Sequence, residues 1–163
     1  MNAETVIELI KLLIANDIDV VVDGGWGVDA LLGEQTRPHD DLDIAIPHKD
    51  VPKLRKLLKE KDFTEIFRDD SRDCNFVLED KAKNQIDVHS YSFDEHGNNI
   101  YGVAYLPEHL TGKGTISGYQ VKCIPPEWAV KFHTGYALDE NDFYDTQALC
   151  RKFNIPLPSE LEE

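Results

Sequence analysis

Cysteine is scarce in this chain: there are three among 163 residues, Cys74, Cys123 and Cys150, scattered and never paired as C-x-x-C. That spacing excludes a disulfide framework and a cysteine-built zinc site. Cations are in short supply as well. Lysine and arginine number 17 against 31 aspartates and glutamates, a formal net charge of −14. Such a balance argues against nucleic-acid binding, which depends on Lys and Arg neutralising phosphates, and against docking on anionic lipid. No apolar run approaches the roughly 20 residues that span a bilayer. The first twenty residues carry Glu4 and Glu8, which is wrong for a signal peptide. H-E-x-x-H and G-x-S-x-G are both missing, so zinc-hydrolase and serine-hydrolase readings have no support. These absences lead us to expect a cytoplasmic protein with reduced thiols and with neither membrane nor nucleic acid as partner.

At 41% hydrophobic and 29% charged, the composition is that of an ordinary globular protein. The length favours one domain over residues 1–163. Val6, Leu9, Ile10 and Leu13 share one face of a helix predicted over 3–16. Val20-Val21-Val22 reads as a short apolar strand, followed by a tight Gly24-Gly25 turn and a short helix over 26–32 closed by Gly33. Residues 41–46 alternate polar and apolar, as a half-buried strand does, and Pro47 stops them. Six of the 17 basic residues, Lys49, Lys53, Arg55, Lys56, Lys59 and Lys61, form the solvated face of the next helix, with Val51, Leu54 and Leu58 as its apolar stripe. Strands follow at 63–68, 74–78, 86–93 and 119–124, with a turn-rich stretch over 94–99. Residues 112–118 are expected to be a mobile, turn-rich connection. Thr111-Gly-Lys-Gly-Thr115 lacks the first glycine of a phosphate loop. Pro125-Pro126 opens a helix expected over 127–138, and a last helix covers 142–153.

The chemistry concentrates in Asp23-Gly24-Gly25-Trp26-Gly27-Val28-Asp29 and His39-Asp40-Asp41-Leu42-Asp43-Ile44. On a strand, Asp41 and Asp43 project together, about 6–7 Å apart, while Leu42 and Ile44 face the core. Two such carboxylates repel unless a cation bridges them, and hard oxygen ligands of this kind suit Mg²⁺. A diglycine between a strand and a helix start can cradle an anion. In Gln85-Ile86-Asp87-Val88-His89 a third acid occupies the polar face of an apolar strand. If that strand neighbours 41–46, Asp87 completes a three-carboxylate cluster of the kind in-line nucleotidyl transfer needs. His39 and His89 flank these acids.

The segment DGGWGVDALLGEQTRPHDDLDIAIP, residues 23–47, resembles the signature of the antibiotic nucleotidyltransferases within the polymerase-β-like nucleotidyltransferase superfamily. Its G-G-W-G-V-D form, with T-R-x-H-D-D-L-D behind it, is most similar to the small lincosamide nucleotidyltransferases. The aminoglycoside 2″-nucleotidyltransferases are similar in the same segment. Ile86-Asp87-Val88-His89 and Phe132-His133-Thr134-Gly135-Tyr136 extend the likeness across most of the chain.

The resemblance implies a mixed α/β (α+β) nucleotidyltransferase fold, a central mixed sheet with flanking helices and a helical C-terminal part. It implies ATP or another nucleoside triphosphate as co-substrate and Mg²⁺ as the metal. Asp41, Asp43 and Asp87 would be the metal ligands and catalytic residues, with Asp87 as general base on the acceptor hydroxyl. Gly24, Gly25, Arg37 and Lys131 would hold the nucleotide. His89, Tyr91, Tyr101, His133 and Tyr136 would line the site of a small-molecule antibiotic, with Trp26 and Tyr105 as further lining residues. The core would be about 1–93 and the acceptor-binding part about 94–155. The chain has no room for the extra helical domain of some larger members. Part of the acceptor pocket must therefore come from 94–120 or from the second subunit of a homodimer. Two alternatives stand beside the lincosamide reading: an aminoglycoside acceptor, or a nucleotidyltransferase-fold antitoxin that acts on a protein. The 76 residues after Asp87 favour the drug-modifying reading.

Overall fold

The computed structural model describes residues 1–134 and 137–161. Helix α1 (Ala3–Ala15) starts where the Asn2 side chain accepts the Thr5 N–H, and it buries Val6, Leu9, Ile10 and Leu13. Strand β1 (Val21–Val22) is fully buried. Helix α2 (Gly24–Leu32) follows immediately and ends at Gly33, whose φ of 80° is the left-handed cap that glycine allows. Strand β2 (Asp41–Pro47) buries Leu42, Ile44, Ala45 and Ile46. Helix α3 (Val51–Lys59) buries Val51, Leu54 and Leu58 and turns its lysines outward. The remaining strands are β3 (Thr64–Ile66), β4 (Asn75–Glu79), β5 (Gln85–Phe93), β6 (Asn99–Gly102), β7 (Gly112–Ile116) and β8 (Tyr119–Cys123). Helices α4 (Pro126–Phe132) and α5 (Glu140–Phe153) complete the chain.

The strands form one sheet in the order β3-β4-β5-β2-β1-β8-β7, with β6 also on β5. It is mixed: β2 and β5 are parallel, as are β1 and β8, and the other pairs are antiparallel. Helix α2 packs against β2 and β7 and is backed by α4 and α5. This is the mixed α/β architecture the sequence implied. The three cysteines are buried free thiols, and burial pushes the Cys123 thiol up to about 12. Among the described residues no helix is long and apolar enough to cross a membrane.

Three local expectations are corrected. Residues 112–116 are a paired strand and not a mobile loop. A Cβ on Gly112 would stand 2.4 Å from the Cys123 carbonyl oxygen, and one on Gly114 would stand 2.3 Å from that of Ala30. These glycines serve close backbone approach, and Ser117 and Gly118, both at positive φ, make the turn into β8. The helix expected over 127–138 stops at Phe132. The His133 ring folds back so that its Nδ1 lies 2.8 Å from the Ala129 carbonyl, and the Thr134 hydroxyl donates to Lys131 O at 3.0 Å. Side-chain bonds of this kind end a helix by competing with its ladder. Finally, Gly24 and Gly25 belong to α2 itself and do not form a separate turn before it.

Candidate active site

Strand β1 delivers the chain to Asp23, and that residue does three jobs. Its backbone N–H donates to Asp43 O at 2.9 Å. Its Oδ1 accepts the Gly24 N–H at 2.8 Å, capping α2, and its Oδ2 accepts the Tyr105 hydroxyl at 2.8 Å. Gly24 then adopts φ +58°, and a Cβ built there would lie 2.1 Å from Asp43 Oδ2. A Cβ on Gly25 would lie 2.4 Å from His39 Nδ1 and 2.9 Å from an Arg37 nitrogen. The diglycine is therefore demanded by backbone conformation and by space: the helix start is pressed against the acid strand and the histidine before it.

Asp41 and Asp43 project from the same face of β2. In the parallel pairing with β5, Asp43 stands beside Asp87 and Asp41 beside Gln85. Burial holds the Asp43 carboxyl well above the usual carboxylate range, and the charges of Asp41, Asp23 and Asp87 push it further. Burial raises Asp87 too, while His89 and Arg68 pull it back. Asp87 Oδ1 is 3.4 Å from His89 Nε2 yet accepts no hydrogen bond, and the buried His89 Nδ1 is likewise unpartnered.

Beside this cluster lies a polar network built on the buried Asp29, His39 and Asp145. His39 Nε2 bonds the Asp29 carboxylate, which also accepts the Thr36 N–H at 3.1 Å and its hydroxyl at 2.7 Å. Trp26 is fully buried with its ring 4.9 Å from that of His39. Arg37 donates to Asp145 of α5 at 2.8 Å.

Two clefts lie near the acids. One, of about 500 Å³ and strongly polar, is lined by Gly24, Gly25, Arg37, Asp41, Asp43 and His133, among others. The second, of about 420 Å³ and mostly apolar, is lined by Asp23, His89, Val103, Tyr105, Lys131 and Phe132, among others. Asp43 thus faces the polar cleft, while His89 and Asp23 face the apolar one. Among the described residues no three His, Cys, Asp or Glu side chains converge tightly enough to hold a metal alone. The donor set fits Mg²⁺ in its common mode, with one or two carboxylates and the rest of the shell from phosphate and water.

The sequence candidates fall as follows. Asp41, Asp43 and Asp87 come together, with Gly24 and Gly25 against them and His89 beside Asp87. Arg37 lines the polar cleft but is tied to Asp145. Lys131 and His133 line different clefts. Lys131 is on the apolar cleft, 4.3 Å over the Trp128 ring, and His133 is on the polar one. Tyr91 is buried between Phe93 and Tyr105, with centroids 4.8 and 5.8 Å away, and borders a separate cavity with His48 and Pro107. Tyr101 is exposed on β6 and packs on His48 at 4.5 Å. Tyr136 lies outside the described residues. Sequence reasoning missed the roles of Asp23 and Asp29. An acid directly before a glycine-led helix start is a legible N-cap signal. The Asp29–His39 partnership has no local signal.

A family model described as Aminoglycoside-2''-adenylyltransferase matches residues 5–149. A lincosamide resistance protein of Staphylococcus haemolyticus is 29% identical over 134 residues, covering 78% of this chain and 81% of that one. A 2''-aminoglycoside nucleotidyltransferase of Escherichia coli is 40% identical over 62 residues, covering 36% of this chain and 35% of its own. Among solved structures, the lincomycin-bound lincosamide antibiotic adenylyltransferase LnuA superposes with a TM-score of 0.80 at 22% identity, covering 96% of this chain and 99% of that one. ANT(2'')-Ia in complex with adenylyl-2''-tobramycin gives 0.75 at 16% identity, covering 93% and 88%. At those identities the likeness is one of fold.

Proposed function

We propose that this chain, which belongs to the aminoglycoside-2''-adenylyltransferase family, is an antibiotic O-nucleotidyltransferase. It moves a nucleoside monophosphate from ATP to a hydroxyl of a lincosamide such as lincomycin or clindamycin. The observation that carries this reading is the pairing of Asp43 with Asp87 on adjacent parallel strands, with a side-chain-free helix start pressed against Asp43. The polar cleft takes the triphosphate, with Asp41 and Asp43 in its wall, and the apolar cleft takes the acceptor, with His89, the neighbour of Asp87, in its wall.

Asp41 and Asp43 would hold Mg²⁺ on the triphosphate, and Asp87 would share it. When bound, Mg²⁺ supplies charge neutralisation of the phosphates. Asp87 accepts the proton of the acceptor hydroxyl, a task suited to a carboxyl whose affinity for protons is raised by burial. His89, 3.4 Å away, steadies it from the acceptor side. The hydroxyl oxygen bonds to the α-phosphorus, the bond to pyrophosphate breaks, and the drug leaves with an O-linked nucleotide. Tyr105 and Asp23 fix the floor between the two clefts through their 2.8 Å hydrogen bond. Residues 103–105 supply one wall of the acceptor cleft, so a second subunit is not required to form it. The division into a core near 1–93 and an acceptor part near 94–155 follows the same line.

The lincosamide choice is supported by the relative that aligns over most of the chain and by an acceptor cleft walled by Val103, Tyr105 and Phe132 with one cation, Lys131, among its lining. Such a wall suits a monocationic, partly apolar drug better than a polycation. The aminoglycoside alternative draws on the family model and on the shorter E. coli match. Mass spectrometry of ATP, Mg²⁺ and both drug classes separates the two. The expected product is a lincosamide heavier by one nucleoside monophosphate, with pyrophosphate released only when the drug is present. Adducts on aminoglycosides alone would refute the acceptor assignment. A co-purifying polypeptide that becomes nucleotidylated would favour the antitoxin alternative.

A further inference from the structure

Two arginines stand near the acids in different electrostatic states, Arg37 in the lining of the polar cleft and Arg68 outside that lining, beyond Gln85, the register neighbour of Asp41. Arg37 donates to both oxygens of Asp145, at 2.8 and 3.4 Å, and Asp145 is buried. Its charge is largely cancelled by a fixed carboxylate. Arg68 approaches from the other edge of the sheet, in the connection after β3. Its backbone N–H donates to Ser71 Oγ at 2.8 Å, and its Nη2 donates to Gln85 Oε1 at 2.8 Å. Gln85 is itself braced, because its Nε2 donates to Glu79 Oε2 at 2.8 Å. Gln85 stands beside Asp41 in register and two residues before Asp87 on one face of β5. A neutral amide aims a guanidinium without neutralising it. Among the described residues Arg68 makes no ion pair within 4 Å.

We propose that Arg68, aimed by Gln85, is the cation that receives the triphosphate of the nucleotide, and that Arg37 is a structural tie to α5. The inference rests on the nucleotidyl-transfer reading above and adds a binding residue to it. A guanidinium fork matches phosphate oxygens in pairs, and an exposed side chain held by one amide bond can turn onto an incoming phosphate at little cost. Gln85 is a positioning residue: it touches Arg68 and not the nucleotide.

The test is calorimetric binding of the Mg²⁺ complex of an ATP analogue with a methylene bridge between the α- and β-phosphorus, on the full chain with no acceptor present. Arg68→Ala is expected to weaken binding about 10- to 100-fold, the range for a charge-assisted hydrogen bond. Arg68→Lys should recover part of the loss, and Gln85→Ala should fall between wild type and Arg68→Ala. The salt dependence of affinity should flatten in Arg68→Ala, because one phosphate contact is gone. Arg72→Ala removes the same charge from another exposed position in that connection and should leave binding within about twofold, as surface charges do. Undiminished binding in Arg68→Ala, or equal losses in Arg68→Ala and Arg72→Ala, would overturn the assignment while leaving nucleotidyl transfer intact. A wild-type chain that bound no nucleotide would overturn both.

Discussion

The two clefts beside the acid cluster are built on different principles. The polar cleft is made of regular structure under tight constraint. Its floor is the middle of the sheet, its lip is the first turn of α2, and buried pairs lock its rear: His39 with Asp29, and Arg37 with Asp145. The apolar cleft is made largely of chain at the limits of regular structure, residues 103–105 after β6 and Lys131, Phe132 and Thr134 at the C-terminal end of α4. Its aromatic side chains pack edge to face, as Tyr105 does on Phe132 at 6.3 Å. Under the proposed assignment the polar cleft must hold one geometry for a phosphate that never changes, whereas the apolar cleft could be rebuilt for a new acceptor without disturbing the sheet.

The sharpest break in that comparison is Asp87→Asn, at the boundary. Removing the base should lower turnover by about 10²- to 10⁴-fold, the usual contribution of a positioned proton acceptor. Binding of Mg·ATP should survive, because Asp41 and Asp43 remain. Single-turnover assays beside calorimetry separate the two quantities. Asp41→Asn or Asp43→Asn should instead weaken Mg·ATP binding. Near-wild-type turnover in all three variants would place the chemistry elsewhere.

Next in size is a single methyl group on either side. Gly24→Ala puts a Cβ at a left-handed φ, where a non-glycine residue is strained by about 1–3 kcal/mol, and drives it into Asp43 Oδ2. Displacing that oxygen by about 1 Å should cost roughly 10²-fold in activity. Ala104→Val, at an exposed position on the rim of the apolar cleft, should leave ATP binding unchanged and alter only the acceptor KM. Equal damage from the two would mean that the clefts are not built differently.

The same contrast explains what was legible in the sequence. The alternation in Asp41-Leu42-Asp43-Ile44 revealed β2 and the shared direction of its acids, because one buried face forces a period of two. That Asp87 would lie beside Asp43 depends on the β2–β5 register, a long-range pairing that no local pattern encodes. Glycines misled at 112–114: mobility and close packing use the same residue, and only the carbonyls of Cys123 and Ala30 distinguish them. That Lys131 and His133 line different clefts was not legible either, because the helix ends at Phe132 between them. The Arg68–Gln85 bond was equally hidden, because it is reached across two strand pairings.

A smaller effect concerns stability. Burial and like charges raise Asp43 above its unfolded value, so the folded state without metal favours the protonated acid. That contribution is fully present below the unfolded pKa, about 4, and is lost as pH rises through the raised folded value. Asp43→Asn mimics the protonated form permanently. It should therefore melt at a higher temperature than wild type at pH 7 in chelator, and the two curves should converge as pH falls toward 4. An Asn variant that is less stable at neutral pH would mean that Asp43 is held by an attraction outweighing its burial. No comparable gain is expected from His89→Gln on the acceptor side, where the side chain is half-exposed.

The smallest effect separates the clefts most cleanly. Lys131 is exposed on the apolar cleft, and its ammonium rests 4.3 Å over the Trp128 ring, a contact of about 0.5–1 kcal/mol at an exposed site. The drug expected there carries a protonated amine, so Lys131 repels it through water, with a strength of the order seen between exposed charges, about 0.2–1 kcal/mol. Lys131→Ala should lower the acceptor KM by about two- to fivefold and leave the ATP KM unchanged, and added salt should shrink the difference between variant and wild type. The sequence suggested the opposite, a phosphate contact. If it holds, Lys131→Ala will raise the ATP KM and leave the acceptor untouched. The direction in which one steady-state constant moves thus decides on which side of the acids this lysine works.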